Sequence, residues 1–317
     1  MPQALNLQTV IALIWDFDKT LSPDYMQTPL FQEYSIDGAA FWTEVNGLVD
    51  HYDTRGLRTS KDTVYLGHLL SYIREGKLPN LTNEKLRELG AKIPLAPGMP
   101  DFMARAKELV SRDERYAHHG VTVEHYIVST GLRQMIEGNP IHEHVSGVWA
   151  CELLADPPGP GYLEDGPSAE ASGILTQLGY VLDNTTKTRA IFEINKGVNV
   201  EPKIDVNALM APDDRRVPIS NMIYIADGPS DVPVFSVVNM HGGKTLGVYT
   251  IGANSNYEGV RKLQDDGRVN SIAETDYSPD SPADLWLMSS IKSIANGICE
   301  RRERGVREIT APAGHVV

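Results

Sequence analysis

With 317 residues, 41% of them hydrophobic and 22% charged, the chain has the length for one large core with an inserted module, or for two domains, and the composition of an ordinary globular protein. A net charge of −13 argues against nucleic acid or anionic membrane as a main partner, and any anionic substrate must find a local positive charge. No apolar run approaches the ~20 residues of a membrane span.

Val10 to Trp15 is a continuous apolar run that stops at Asp16. It is short and has no basic residues before it, so it does not read as a signal peptide. It reads as a strand buried on both faces, as in a parallel sheet. The stretch that follows has helical patterns. Tyr65, Leu69, Tyr72 and Ile73 share one face, with Ser60 as a cap, and Leu86, Leu89 and Ile93 suggest another. Pro100 and Asp101 suit the first turn of a helix whose apolar face is Phe102, Ala106, Leu109 and Val110.

A second buried run, Val121 to Val128, ends in Ser129-Thr130-Gly131. Residues 156–161 are a loop by composition, and Tyr162 to Asn184 carries a hairpin pattern. Thr185 or Thr186 is placed to cap a helix bearing Ala190, Ile191 and Ile194. Met222 to Ala226 is a third run and ends in Asp227-Gly228, and Lys244 to Tyr249 is a fourth strand. A helix is expected around Leu285 to Ile298, then a charge-dense stretch from Arg301 to Glu308 and a loose tail over Thr310 to Val317. Strand–helix alternation predicts an α/β fold with a Rossmann-like parallel sheet. The core takes residues 1–24 and 97–317, and residues 25–96 form an inserted helical module.

Strands of a parallel sheet share one carboxyl edge, where ligands bind. Asp16, Ser129 and Asp227 are therefore expected to converge. In Asp16-Phe17-Asp18-Lys19-Thr20, alternation along an extended chain sends both carboxylates to one side. So close a pair needs a cation, or one of the two must hold a proton. Both conditions suit phosphoryl transfer: one carboxylate attacks phosphorus and the other, as an acid, protonates the leaving oxygen. In Asp227-Gly228-Pro229-Ser230-Asp231, Asp227 would complete a Mg²⁺ site with Asp16 and the Asp18 backbone carbonyl, while Asp231 holds a water or braces the site. Ser129, Thr130 and Gly131 offer a hydroxyl and N–H groups to an anion, or simply cap a helix. Lys187 could neutralise phosphoryl oxygens, with Lys196 as the rival.

These four pieces, in this order, resemble the haloacid dehalogenase (HAD) superfamily of aspartate-nucleophile hydrolases. The D-x-D-x-T motif is matched by Asp16, Asp18 and Thr20. The second motif is matched by Ser129, the third lysine by Lys187, and the final D-x-x-x-D by Asp227 and Asp231. The resemblance covers about Thr9 to Ser22 and Pro97 to Tyr249. An Asp two residues after the nucleophile resembles the phosphatase and phosphotransferase branch. The module at 25–96 resembles the helical cap of phosphoserine-phosphatase-like members, as does Val145 to Leu154 after the second motif. The resemblance implies a Mg²⁺-dependent phosphatase acting on a small phosphomonoester. Asp16 is its nucleophile and Asp18 its general acid and base, and Ser129, Lys187, Thr20, Thr130 and Gly131 serve the phosphoryl group. Phosphoserine phosphatases carry an acidic residue in the first cap segment, whereas Pro23-Asp24-Tyr25-Met26-Gln27 offers no match, which puts phosphoserine itself in doubt. Cap residues expected to face substrate are Tyr25, Phe41, Trp42, His51 and Arg55.

Other patterns carry less. Gly243-Lys244-Thr245 fails as a phosphate-binding loop because Val238 stands where its first glycine belongs. His142 and His144 have no matching ligands nearby, and His118-His119 reads as a surface turn. Cys151 and Cys299 fit no ligand spacing and read as reduced thiols in a cytoplasmic protein. The rival functions are a phosphotransferase with the same intermediate and a non-catalytic binding protein of the same fold. The sequence sets no oligomeric state.

Overall fold

Seven strands form one sheet in the order β4-β3-β2-β1-β5-β6-β7. They are β1 (Val10–Trp15), β2 (Thr122–Leu132), β3 (Gly147–Ala155), β4 (Leu175–Tyr180), β5 (Met222–Ala226), β6 (Lys244–Tyr249) and β7 (Ser271–Glu274). All pairings are parallel except that of β4 with β3. The fold is α/β with a Rossmann-like sheet core. The structure is a computed structural model and describes residues 7–165, 172–250, 252 and 254–310.

Twelve helices are described: α1 (Thr28–Glu33), α2 (Gly38–Asp53), α3 (Val64–Arg74), α4 (Asn83–Gly90), α5 (Asp101–Ser111), α6 (Glu114–His118), α7 (Arg133–Gly138), α8 (Tyr162–Asp165), α9 (Lys187–Lys196), α10 (Val232–Met240), α11 (Asn254–Asp265) and α12 (Pro282–Thr310). Among the described residues no helix is long and apolar enough to cross a membrane.

β1 runs through the middle of the sheet, so Ile11 to Trp15 are wholly buried. That explains its unbroken apolar run: with neighbours on both edges and helices on both faces, no side chain reaches water. Trp15 packs edge-on against Phe102 of α5 and Tyr277, at 5.7 and 5.4 Å between ring centroids. Its indole N–H donates to His125 Nδ1 at 3.2 Å.

α1 to α4 lie between β1 and α5. The chain leaves the core at Leu21 and returns beside it, where the Ala96 N–H donates to the Leu21 carbonyl at 2.8 Å. α4 is docked on α7 at backbone level. A methyl group at Gly138 would meet Arg87 O at 1.9 Å, and one at Gly90 would meet Met135 O at 2.0 Å. The buried Asn139 amide ties the same junction by donating to Gly90 O and Ile93 O at 3.1 and 3.0 Å.

Several sequence expectations shift. β2 runs on to Leu132, and its register with β3 breaks between Val128 and Leu132. The Ser129 hydroxyl accepts from the Gly131 N–H at 3.0 Å, a local bond that competes with the strand ladder, so Ser129 lies at an irregularity and not at a strand end. Among its described residues, the segment Tyr162 to Asn184 supplies one strand, β4, that pairs back on β3, in place of a hairpin of its own. Residues 166–171 of that segment, and 311–317 of the expected tail, lie outside the described residues. Neither Thr185 nor Thr186 caps α9 with its side chain. Asp183 gathers the turn instead, accepting from the Thr185 and Thr186 N–H groups at 3.0 and 2.7 Å. Ser60 serves α3 through its backbone carbonyl, which accepts from Val64 N–H at 3.0 Å.

Candidate active site

The chain departs from β1 in opposite directions: β2 and β3 lie on one side, β5 and β6 on the other. Such a reversal opens a crevice at the carboxyl ends of the strands. Asp16 follows β1 there, and its N–H donates to Ile225 O of β5 at 2.9 Å. Asp227 follows β5 directly. Asp231 ends the short 3₁₀ turn Pro229–Asp231 ahead of α10. Carboxylate oxygens of Asp16, Asp227 and Asp231 all lie within 4.8 Å of one another.

Lys187, the first residue of α9, enters this cluster with only 1% of its surface exposed. Its Nζ donates to Asp16 Oδ1 at 2.9 Å and to Asp231 Oδ1 at 2.7 Å. Burial works against its charge, but the Asp16 and Asp231 carboxylates outweigh that and hold the ammonium well above its ordinary range. Asp231 is fixed further by the Tyr224 hydroxyl at 2.5 Å and by Ser230 Oγ at 3.0 Å. Lys196, the rival lysine, is elsewhere: its Nζ donates to the carbonyls of Val206 and Ala208 at 2.5 Å each.

Asp18 stands one turn of extended chain beyond Asp16. The backbone folds back there: Thr20, Leu21 and Ser22 N–H all donate to Phe17 O, and Lys19 sits in the left-handed region at φ 57°. Asp18 Oδ1 accepts from the Met26 N–H at 2.8 Å. Burial, then repulsion from Asp16, raises its carboxyl well above the usual carboxylate range. Asp16 is raised to about 6, chiefly by burial, with Lys187 pulling the other way. Asp227 is raised to about 8, by burial and then by Asp16 and Asp231.

Four carboxyl groups and one buried lysine leave the crevice short of positive charge. The donor set is all hard oxygen, and a divalent cation such as Mg²⁺ fits it in ligand type and in sign. Asp16 and Asp227, with the Asp18 carbonyl, are the residues that would hold it.

Ser129 is buried beside β1 on the other flank, on the strand next to Asp16. The Thr130 carbonyl accepts from the Tyr65 hydroxyl of α3 at 2.6 Å and is therefore turned toward the helical module. Gly131 leaves room for the Met26 side chain, whose Cε would lie 2.1 Å from a methyl group at that position. Thr20 is wholly buried, its carbonyl accepts from Tyr277 Oη at 2.9 Å, and its hydroxyl has no partner among the described residues.

Of the residues in the 25–96 module expected to face substrate, Phe41 is instead turned into the module. It is wholly buried among Phe31, Trp42, His68 and Tyr72 and forms the module's own core. His51 and Arg55 contact each other on the exposed end of α2. Tyr25 lies under Lys19 Nζ at 4.1 Å and packs on Trp42, which reaches Tyr65 at 5.6 Å. Sequence reasoning missed Tyr65, Tyr224 and Met26, which hydrogen-bond Thr130, Asp231 and Asp18. A tyrosine inside a wholly apolar buried strand, as Tyr224 is, signals a hydroxyl that needs a partner.

No family model matches the chain. An uncharacterized protein of Borreliella burgdorferi (strain ATCC 35210 / DSM 4680 / CIP 102532 / B31) is 38% identical over 288 residues, covering 90% of this chain and 97% of that protein. Among solved structures the chain is similar to a HAD family hydrolase from Salmonella enterica subsp. enterica serovar Typhi (TM-score 0.47, 13% identity, 81% of this chain and 67% of that one). It is also similar to a probable phosphoserine phosphatase from Vibrio cholerae (TM-score 0.48, 12% identity, 92% and 68%).

Proposed function

This chain and the Borreliella burgdorferi protein belong to one family, and we propose that the chain is a Mg²⁺-dependent phosphomonoester hydrolase of the HAD type, acting through an aspartyl-phosphate on a small phosphorylated metabolite. The observation that carries the reading is the buried Lys187, which bridges Asp16 and Asp231 at 2.9 and 2.7 Å beside Asp227. A cation and clustered carboxylates at the switch point of a parallel sheet suit transfer of a group that bears negative charge.

In the first step a carboxylate oxygen of Asp16 bonds to phosphorus as the bond from phosphorus to the alcohol oxygen breaks. Asp18 gives its proton to that leaving oxygen. In the second step water attacks phosphorus, Asp18 takes up its proton, the acyl-phosphate bond breaks, and inorganic phosphate leaves with Asp16 restored. Lys187 neutralises charge on the phosphoryl oxygens, and the Ser129 hydroxyl, whose proton is free to donate, holds them. Mg²⁺, when bound, supplies the remaining positive charge and orients the phosphoryl group. The helical module over residues 25–96 acts as the cap that excludes bulk water.

The test is phosphate release from a panel of phosphomonoesters, with Mg²⁺ and with chelator, using Asp16→Asn as the control. Metal-dependent release that falls at least about 10³-fold in a folded variant is the expected result. An active Asp16→Asn enzyme sinks the nucleophile assignment. No release by folded, Mg²⁺-bound protein moves the reading to a phosphotransferase or to a binding protein.

A further inference from the structure

We propose that Tyr224 is a positioning residue for phosphoryl transfer: its hydroxyl locks the Asp231 carboxylate, and Asp231 in turn aims the remaining N–H of Lys187. The proposal rests on the phosphomonoesterase reading and adds to it a residue that acts only through others.

Tyr224 stands in the middle of β5, a strand whose five residues are all wholly buried. It is paired with Ile14 of β1 on one edge and with Thr245 of β6 on the other. Its ring meets Phe235 of α10 edge-on, at 5.4 Å between centroids. Backbone and ring are therefore both held. A hydroxyl in so apolar a place is costly unless it is paired. Its partner is Asp231, whose Oδ1 accepts from Tyr224 Oη at 2.5 Å.

The same Oδ1 accepts from Lys187 Nζ at 2.7 Å. A carboxylate oxygen offers two lone pairs, so Tyr224 and Lys187 together fill it. Oδ2 accepts from Ser230 Oγ at 3.0 Å. Asp231 is wholly buried, so water cannot replace a bond lost by turning it.

Lys187 carries three protons. One goes to Asp231 and one to Asp16, at 2.9 Å. Among the described residues the third has no acceptor, which leaves it for a phosphoryl oxygen. An ammonium is tetrahedral, so fixing two of its N–H bonds fixes the direction of the third. The two anchors differ in kind. Asp16 changes its bonding when it attacks phosphorus, whereas Asp231 does not. As charge builds on the phosphoryl oxygens, the aim of Lys187 therefore depends on Asp231, and the hold on Asp231 depends on Tyr224.

The experiment measures kcat and KM for a phosphomonoester that the wild type accepts, with Mg²⁺, in wild type, Tyr224→Phe, Asp231→Asn and the double variant, each shown to be folded by its thermal melt. Tyr224→Phe removes one oxygen and keeps the ring against Phe235. Its kcat is expected to fall about 10–100-fold with KM within about two-fold of wild type, because a misaimed donor is felt most where charge develops. Asp231→Asn already loosens the lysine, so adding Tyr224→Phe to it should cost less than about three-fold more. An unchanged kcat in folded Tyr224→Phe overturns the proposal. So does a loss carried by KM, or a loss that recurs in full on the Asp231→Asn background, as a general loosening of β5 would give. Each of these leaves the hydrolase reading intact. Absence of release from every phosphomonoester by the wild type removes the hydrolase reading and the proposal with it.

Discussion

Lys187 Nζ and Asp231 Oδ1 lie 2.7 Å apart, and neither side chain has more than 1% of its surface exposed. An ion pair so deeply buried is an uncertain source of net stability, because both ions lose their hydration. Its second partner, Asp16 at 2.9 Å, points to why it is there: the lysine must be charged and in place at the group proposed to attack phosphorus.

Removing that lysine leaves carboxylates without their partner. Lys187→Met is expected to cost about 3–5 kcal/mol at pH 7. The loss should shrink in acid. Asp16 and Asp227 already have folded-state values of about 6 and 8, raised first by burial, against an ordinary 3.8. The folded state therefore binds more protons than the unfolded one between those values, and stability contributed by them is lost as pH rises. Denaturant melts of Lys187→Met at pH 5 and pH 8 should show the variant nearer to wild type at pH 5. An equal deficit at both would separate Lys187 from the acidic cluster.

Asp18→Asn cannot deliver a proton to the leaving oxygen. Its expected loss is about 10²–10⁴-fold in kcat/KM on alkyl phosphates, and much less on aryl phosphates whose leaving groups need no proton. Rates across a series of leaving-group pKa values check this. A uniform loss across the series would move Asp18 out of the acid role.

Mg²⁺ is expected to raise the melting temperature, with about 2.7 kcal/mol of stabilisation at a hundred times its dissociation constant. Protons compete for the same oxygens, so with Asp227 at about 8 and Asp16 at about 6 the effect should be larger at pH 8 than at pH 6. Asp227→Asn should abolish most of it. A Mg²⁺ shift that persists in that variant would place the ion elsewhere.

His125 gives the fold its own pH dependence. It is buried, accepts from the Trp15 indole at Nδ1, and donates from Nε2 to Met103 O at 3.2 Å. A second proton has no acceptor, and burial, followed by the charge of Lys107, depresses its value from 6.5 to about 3. Below pH 6.5 the unfolded state takes up a proton that the folded state refuses, so stability falls with pH over that window. Between pH 7 and pH 5 the wild type should lose about 2 kcal/mol on this account. His125→Gln keeps an acceptor and a donor without titrating. Its stability relative to wild type should improve by that amount at pH 5, and a constant difference would count against the tautomer assignment.

The sequence by itself determined the class of fold and the candidate chemistry. Unbroken apolar runs at Val10–Trp15 and Met222–Ala226 follow directly from strands buried on both faces, and strand edges in a parallel sheet force Asp16 and Asp227 together. Those are local patterns with one tertiary consequence. What the tertiary structure alone decided depends on distance through space. Lys187 rather than Lys196 meets Asp16 because α9 begins beside the crevice and ends away from it. The burial of Phe41 inside the helical module, the docking of α4 on α7 through Gly90 and Gly138, and the placement of Tyr65 on Thr130 have no periodic signature. A helical face shows which residues turn inward, but not which neighbour waits there, because that is set by packing between segments far apart in the chain.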